Sequence, residues 1–129
     1  AKVKPRIVIE ASTFTLDDKL AAEKVLRKAG HTMLDCPVSG TGAQAAVKDL
    51  VVYASGDKKA IEKVMPVFAG FSRKTDNLGV FGNGSKMKYV ANLLVAIHNV
   101  AAAEAMVLGM KAGLDPEQIF KFANGGAGQ

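Results

Sequence analysis

Arg6-Ile7-Val8-Ile9-Glu10 is a short β-branched run that follows Pro5, and it reads as a strand. Thr15 then stands where a helix N-cap belongs, with Asp17 and Asp18 in the first turn. Leu16, Leu20, Ala21, Val25 and Ala29 recur at helical spacing until Gly30 ends the helix, and they are its expected core face. His31 to Val38 reads as a second strand, with Pro37 near its end. A strand, a helix of about a dozen residues and a second strand make a parallel pair, so the first part of the chain is α/β.

Further along, Ser39 to Lys48 reads as a loop with room for a short helix. Asp49 to Ala54 is a third strand, stopped by Ser55-Gly56-Asp57. Asp57 caps a helix with Ile61, Val64, Met65 and Phe68 on one face and Pro66 as a place for a kink, and Thr75 to Val80 is a weaker strand. The pattern then changes. From Ser85 to Ala112 there is no Pro, Gly109 is the sole Gly, and Val90, Leu94, Ile97, Ala101 and Leu108 recur. A helix of that length spans about 40 Å, longer than a helix covering one sheet needs to be. Gly113 ends it and Asp115-Pro116 starts another helix. The chain is thus α/β followed by all-α, with a boundary near Gly82, and Asn124 to Gln129 is expected as a loop.

Composition narrows the function classes. Of 129 residues, 49% are apolar and 22% charged, enough to build a core. The net charge is +5, but the 17 Lys+Arg are scattered among 12 Asp+Glu, without Trp and without a basic block. Nucleic acid is therefore not the expected partner, and small anions are. One cysteine, Cys36, excludes an internal disulfide, and with His31 and His98 as the two histidines no metal site is expected. The default setting is a reducing cytoplasm. The apolar stretch Tyr89 to Met110 carries Asn92, His98, Asn99 and Glu104, so it is expected as a buried helix of a soluble protein rather than a membrane span.

Two segments invite a chemical reading from the residues alone. Gly40-Thr41-Gly42-Ala43-Gln44-Ala45 fits G-x-G-x-x-G/A after a strand, the dinucleotide fingerprint. A parallel crossover needs a dozen or more residues, and about eight separate Gly42 from the next strand, so a glycine-bearing loop is the favoured reading. Gly82-Asn83-Gly84-Ser85-Lys86-Met87-Lys88 leads into the long helix, where Lys88 and Asn92, four apart, share a face. Taken alone, such a pair is more often solvated than functional; Lys86 points elsewhere and serves as a control. Cys36 reads as a buried structural thiol, His31 as a surface residue, and His98 as an ordinary helix histidine.

Three segments together resemble the β-hydroxyacid dehydrogenases, the family of 3-hydroxyisobutyrate dehydrogenase, tartronate semialdehyde reductase and 6-phosphogluconate dehydrogenase. Glu10-Ala11-Ser12-Thr13 is similar to the family's D-x-S-T, with Glu in place of Asp. Asp35-Cys36-Pro37-Val38-Ser39-Gly40 is similar to its D-A-P-V-S-G-G substrate loop, with Thr41 at the second Gly. Gly82-x-Gly84-x-x-x-Lys88-x-x-x-Asn92 matches its G-x-G-x-x-x-K-x-x-x-N pattern.

The resemblance implies an NAD(P)-dependent oxidoreductase that passes hydride between nicotinamide and a small, anionic hydroxy acid. Lys88 would be the catalytic general acid/base. Asn92 would orient the substrate, Ser39, Gly40 and Thr41 would hold its carboxylate, and Thr13 would touch the nicotinamide end of NAD or NADP. Residues 1–81 would be the C-terminal part of a Rossmann-type nucleotide-binding domain. Residues 82–129 would be the interdomain helix and the start of a helical domain. The family's glycine-rich pyrophosphate turn has no counterpart here, so the chain is expected to be an internal fragment, inactive alone and self-associating through the long helix. The rival expectation is a non-catalytic assembly or partner-binding module of the same fold.

Overall fold

The computed structural model describes residues 3–125. In chain order the elements are β1 (Ile7–Glu10), α1 (Leu16–Lys28), β2 (Thr32–Asp35), β3 (Val38–Ser39), α2 (Gly42–Ala46) and β4 (Leu50–Ala54). They are followed by α3 (Lys58–Phe68), β5 (Ser72–Asn77), α4 (Asn83–Lys111) and α5 (Pro116–Ala123). The compact units divide between Val90 and Ala91, inside α4. The tail expected as a loop lies, from Gly126 onward, outside the described residues.

In the first unit β1 and β2 pair in parallel, Ile7 opposite Thr32 and Glu10 opposite Asp35. The expected strand from His31 to Val38 is split in two. Pro37 has no N–H to give to a ladder, and the chain changes partners around it. Cys36 N–H still donates to Glu10 O at 2.8 Å, while Pro37 O accepts from Tyr53 N–H at 3.0 Å. Asp35 and Ser55 exchange both backbone bonds, at 3.0 and 2.8 Å. The segment from Thr32 to Ser39 is therefore bonded to β1 along one part and β4 along another. β3 runs antiparallel to β4, Val38 opposite Val52, and β4 runs parallel to β5. An antiparallel partner needs only the short link that α2 provides, so Gly40 to Ala45 is not the turn of a parallel crossover.

α3 delivers the core. Ile61, Val64 and Phe68 are buried on one face, with Ala60 rather than the expected Met65 beside them, against Leu34, Cys36, Val52 and Ala54. Pro66 lies within α3, which continues to Phe68. α1 departs further from expectation. Leu20 and Val25 of its apolar stripe are exposed, and the inward face is Leu16, Lys19, Glu23 and Leu26, with Lys19 the one fully buried residue. Apolar periodicity missed this because the buried lysine has acidic partners, described below. β5 begins at Ser72, ahead of the expected Thr75; its polar residues hide an edge strand.

In the second unit Asp115 caps α5, its Oδ1 accepting from Glu117 N–H at 3.0 Å and Gln118 N–H at 3.2 Å. Ile119 of α5 rests on Gly109, where a Cβ would lie 2.5 Å from the Ile119 Cδ1. The expectation of a buried long helix is not met among the described residues. α4 is buried at Gly84 and Ser85, while Leu93, Leu94, Ile97 and Val100 are all exposed. Its apolar residues lie all round, and such a helix needs neighbours on several sides. Among the described residues α4 is also the one helix long and apolar enough to cross a membrane by length and composition.

Candidate functional site

The Asp35 carboxylate is where the three motif segments meet. It ends β2 and is fully buried. Its Oδ2 accepts the Ser85 backbone N–H at 2.8 Å and the Ser55 hydroxyl at 3.2 Å. Its Oδ1 accepts the Ser85 hydroxyl at 2.8 Å and the Lys19 ammonium at 2.9 Å. Lys19 Nζ, 1% exposed, also donates to Ser12 O at 2.6 Å and lies 2.6 Å from Glu10 Oε2. Two hydrogen bonds, to Ser12 O and Asp35, and an ion pair with Glu10 thus surround the ammonium. Glu10 Oε1 accepts from Ser12 N–H at 2.8 Å, closing the turn after β1.

The electrostatics follow from that pairing. Burial alone would raise the Glu10 carboxyl, but hydrogen bonds from Lys19 and Ser12 outweigh it and hold its pKa below the ordinary value. Burial alone would lower the Lys19 ammonium, yet bonds to Glu10 and Asp35 raise it instead. For Cys36 burial outweighs the lowering effect of a backbone hydrogen bond at Ser55 and pushes the thiol up to about 12. The reading of Cys36 as a structural thiol agrees with this.

The first turn of α4 reaches this network because of its glycines. Gly82 takes a φ of +95°, and Gly84 N–H donates to Ser55 Oγ at 2.9 Å. A Cβ on Gly84 would fall 2.3 Å from Tyr53 O and 2.7 Å from Asp35 O. Only a residue without a side chain lets the helix start lie directly on the backbone of β2 and β4. The two glycines of the third motif are thus packing requirements.

Lys88 follows Ser85 by three residues. It is half-buried, and no hydrogen bond or ion pair engages its ammonium among the described residues. Its neighbour Tyr89 donates its hydroxyl to Phe14 O at 2.7 Å, which brings this turn of α4 to the loop bearing Thr13. Thr13 itself is exposed just beyond β1. Lys86 is exposed and donates to Asn83 Oδ1 at 3.3 Å. Asn92 is exposed one turn further along α4. Ser39 is half-buried at the end of β3, and Gly40 follows with a φ of +134°. Thr41 is committed locally: its N–H donates to Gln44 Oε1 at 2.9 Å and its hydroxyl accepts from Gln44 N–H at 3.4 Å, capping α2. Only its hydroxyl proton is left for a ligand. His31 is half-buried rather than on the surface, its Nδ1 accepting from Arg6 N–H at 3.1 Å. His98 is exposed on α4.

Two concavities lie elsewhere. One of about 500 Å³ is lined by Pro5, Arg6, Thr32 and Lys63, and one of about 410 Å³ by Glu23, Arg27, His31 and Asp57. Neither includes Thr13, Ser39 or Lys88. Sequence reasoning missed Lys19 altogether and gave Asp35 no task. The available signal was a lone Asp ending an apolar strand and a Lys in helical phase with Leu16 and Leu26.

An α/β part with parallel strands, followed by a long helix that opens a helical part, is the arrangement of NAD(P)-binding hydroxyacid dehydrogenases. The NAD binding domain of 6-phosphogluconate dehydrogenase matches residues 3–82, and the NAD-binding domain of NADP-dependent 3-hydroxyisobutyrate dehydrogenase matches residues 82–129. L-threonate dehydrogenase of Cupriavidus necator is 36% identical over 95% of this chain and 42% of its own length. NAD-dependent L-serine dehydrogenase of Pseudomonas aeruginosa is 35% identical over 93% of this chain and 41% of its own. The structure of Mycobacterium tuberculosis 3-hydroxyisobutyrate dehydrogenase with L-serine superimposes with a TM-score of 0.88 at 30% identity, covering 98% of this chain and 44% of that one. The chain belongs to the β-hydroxyacid dehydrogenase family. It spans about two fifths of the length of the curated relatives it matches.

Proposed function

We propose that this chain contributes the acid–base lysine and the substrate loop of an NAD(P)-dependent dehydrogenase acting on a small hydroxy acid. The observation that carries the reading is the pair of facts about Lys88. It stands one turn after a serine locked to Asp35, and its own ammonium is left without a partner among the described residues. A nicotinamide, when bound, supplies the hydride acceptor in oxidation and the donor in reduction. Lys88 Nζ, as the neutral amine, takes the proton of the substrate hydroxyl as the alcohol is oxidised, and as the ammonium it gives that proton to the carbonyl oxygen in the reverse direction. Asn92, one turn on, supplies an amide to orient the substrate. Ser39, Gly40 and the Thr41 hydroxyl face the carboxylate, whose negative charge a loop of polar groups and glycine backbone accommodates.

The fit to a dinucleotide is partial, and it divides the labour. Thr13 is exposed at the carboxyl end of parallel β1, where ligands of such sheets bind. The link from β1 to α1, Ala11 to Thr15, holds no glycine, so this turn is not built to seat a pyrophosphate. The nicotinamide end is therefore the part assigned here, through Thr13. We read α4 as packing on protein, including a second copy of the chain, and not on lipid, because Asn92, His98, Asn99 and Glu104 are all exposed along it. No nucleic-acid partner enters this reading.

The test is oxidation of L-threonate, L-serine and 3-hydroxyisobutyrate with NAD and with NADP by the full-length protein. Lys88→Ala should lower kcat about 10²–10⁴-fold, as loss of a general acid–base does. Lys86→Ala should leave it within about twofold. Equal losses at both positions, or none at Lys88, would sink the assignment.

A further inference from the structure

Lys19 is charged, buried and unused by the reaction above. Its ammonium does not merely neutralise a carboxylate. It bonds Ser12 O at 2.6 Å, the carbonyl immediately before Thr13, and Asp35 Oδ1 at 2.9 Å. Asp35 in turn holds Ser85 by both its backbone N–H and its hydroxyl, each at 2.8 Å. Ser85 and Lys88 are three apart on α4, hence neighbours on one helix face. A chain of short, directional bonds therefore runs from the Thr13 loop through Lys19, Asp35 and Ser85 to the turn that carries Lys88. Tyr89 closes the circuit by donating to Phe14 O at 2.7 Å.

Apolar side chains in place of Lys19, Glu10 and Asp35 together would cover the sheet without the desolvation of a buried ion pair, and such wholesale replacement is often neutral or stabilising in other proteins. What it would not supply is direction. Apolar contacts tolerate sliding, whereas an ammonium hydrogen-bonded to a carbonyl and one carboxylate and ion-paired with a second fixes where each must be. Resting on the assignment of Lys88 as the acid–base group, we propose that Lys19 is a positioning residue, which through Asp35 and Ser85 locks the Thr13 loop and the Lys88 turn into one register. Glu10 belongs to the same clamp: its Oε2 reaches Lys19 at 2.6 Å, and an Asp there would draw the carboxylate back by about 1.5 Å, one carbon–carbon bond.

Proton and hydride transfer are sensitive to such register, a misplacement of about 1 Å costing roughly 100-fold. The experiment measures kcat and the KM for the hydroxy acid on the full-length protein carrying Ser85→Ala, Lys19→Met or Lys88→Ala, and the two doubles with Lys88→Ala. Ser85→Ala keeps the backbone N–H bond to Asp35 and leaves the smallest scar, so it decides the matter if Lys19→Met fails to fold. The expected result is a fall in kcat of about 10-fold for Ser85→Ala and more for Lys19→Met. KM should move less than about threefold, and neither substitution should lower kcat further once Lys88 is Ala. Unchanged kcat in folded Ser85→Ala and Lys19→Met protein, or losses that multiply with that of Lys88→Ala, would overturn the positioning role while leaving Lys88 in place. An inert Lys88→Ala would instead overturn the functional reading on which the proposal rests.

Discussion

Lys19 and Lys88 belong to the same compact unit and live in opposite circumstances. Lys19 is 1% exposed, hydrogen-bonded to Asp35 and Ser12 O and ion-paired with Glu10, so its charge is fully engaged inside the fold. Lys88 is half-buried and has no acceptor among the described residues. The contrast separates two uses of one residue type. A lysine buried among paired carboxylates holds parts together and is out of a substrate's reach. A lysine held by its helix, with its donors unspent, can exchange a proton with whatever binds beside it.

Stability measurements sharpen the contrast most. Lys19→Met removes the cation from between two carboxylates and should cost about 3–5 kcal/mol in denaturant unfolding of this chain, the usual penalty for breaking a buried ion pair. Lys88→Ala should stay within about 0.5 kcal/mol, as for other surface changes. Equal costs would erase the distinction between the two lysines. Gly84→Ala tests the surface that joins their surroundings. Its methyl would meet Tyr53 O and Asp35 O well inside contact distance, so a loss of about 1–3 kcal/mol is expected, seen as a lowered urea midpoint with an unchanged slope.

The smallest effect is on pH dependence. The folded-state pKa of Glu10 lies below its ordinary 4.5, so its contribution is present above that value and is lost as pH falls through the folded pKa. Lys19 lies above its ordinary 10.5, so its contribution is complete below that value and is lost as pH rises through the folded pKa. Glu10→Gln should therefore flatten the acid limb of the stability profile and, by removing one of the two carboxylates that raise Lys19, also weaken the alkaline limb. A profile unchanged at low pH would mean that Glu10 is not linked to folding.

Much of this was legible in the sequence wherever one local rule governed the outcome. Thr15, Asp57 and Asp115 cap helices as their side chains dictate, and the glycine–lysine–asparagine spacing marked the start of α4. The α/β part followed by a long helix came from periodicity. What periodicity could not reach was long-range pairing. Asp35 and Ser85 are fifty residues apart, and nothing local says that a serine in a first helical turn will meet a strand-end carboxylate. The inward face of α1 was misread for the same reason, since a buried lysine is intelligible only once Glu10 and Asp35 are beside it. Among the candidate site residues, Thr41 shows the limit most clearly. The motif marks it for substrate, while its backbone N–H is already taken by Gln44 in a capping box that the sequence alone leaves ambiguous with the loop.

The buried thiol of Cys36 gives the molecule an internal clock. With its pKa pushed up to about 12 and its side chain closed off by the core, it offers almost no thiolate to an alkylating reagent at neutral pH. It can react only when the segment between β2 and β3 leaves the core it shares with α3, which is to say when the first unit opens. The rate of its modification at rising reagent concentration therefore reads out the opening rate of that unit directly, on the unaltered chain, while any cysteine introduced on the exposed face of α4 or α5 would label at once and report on assembly instead.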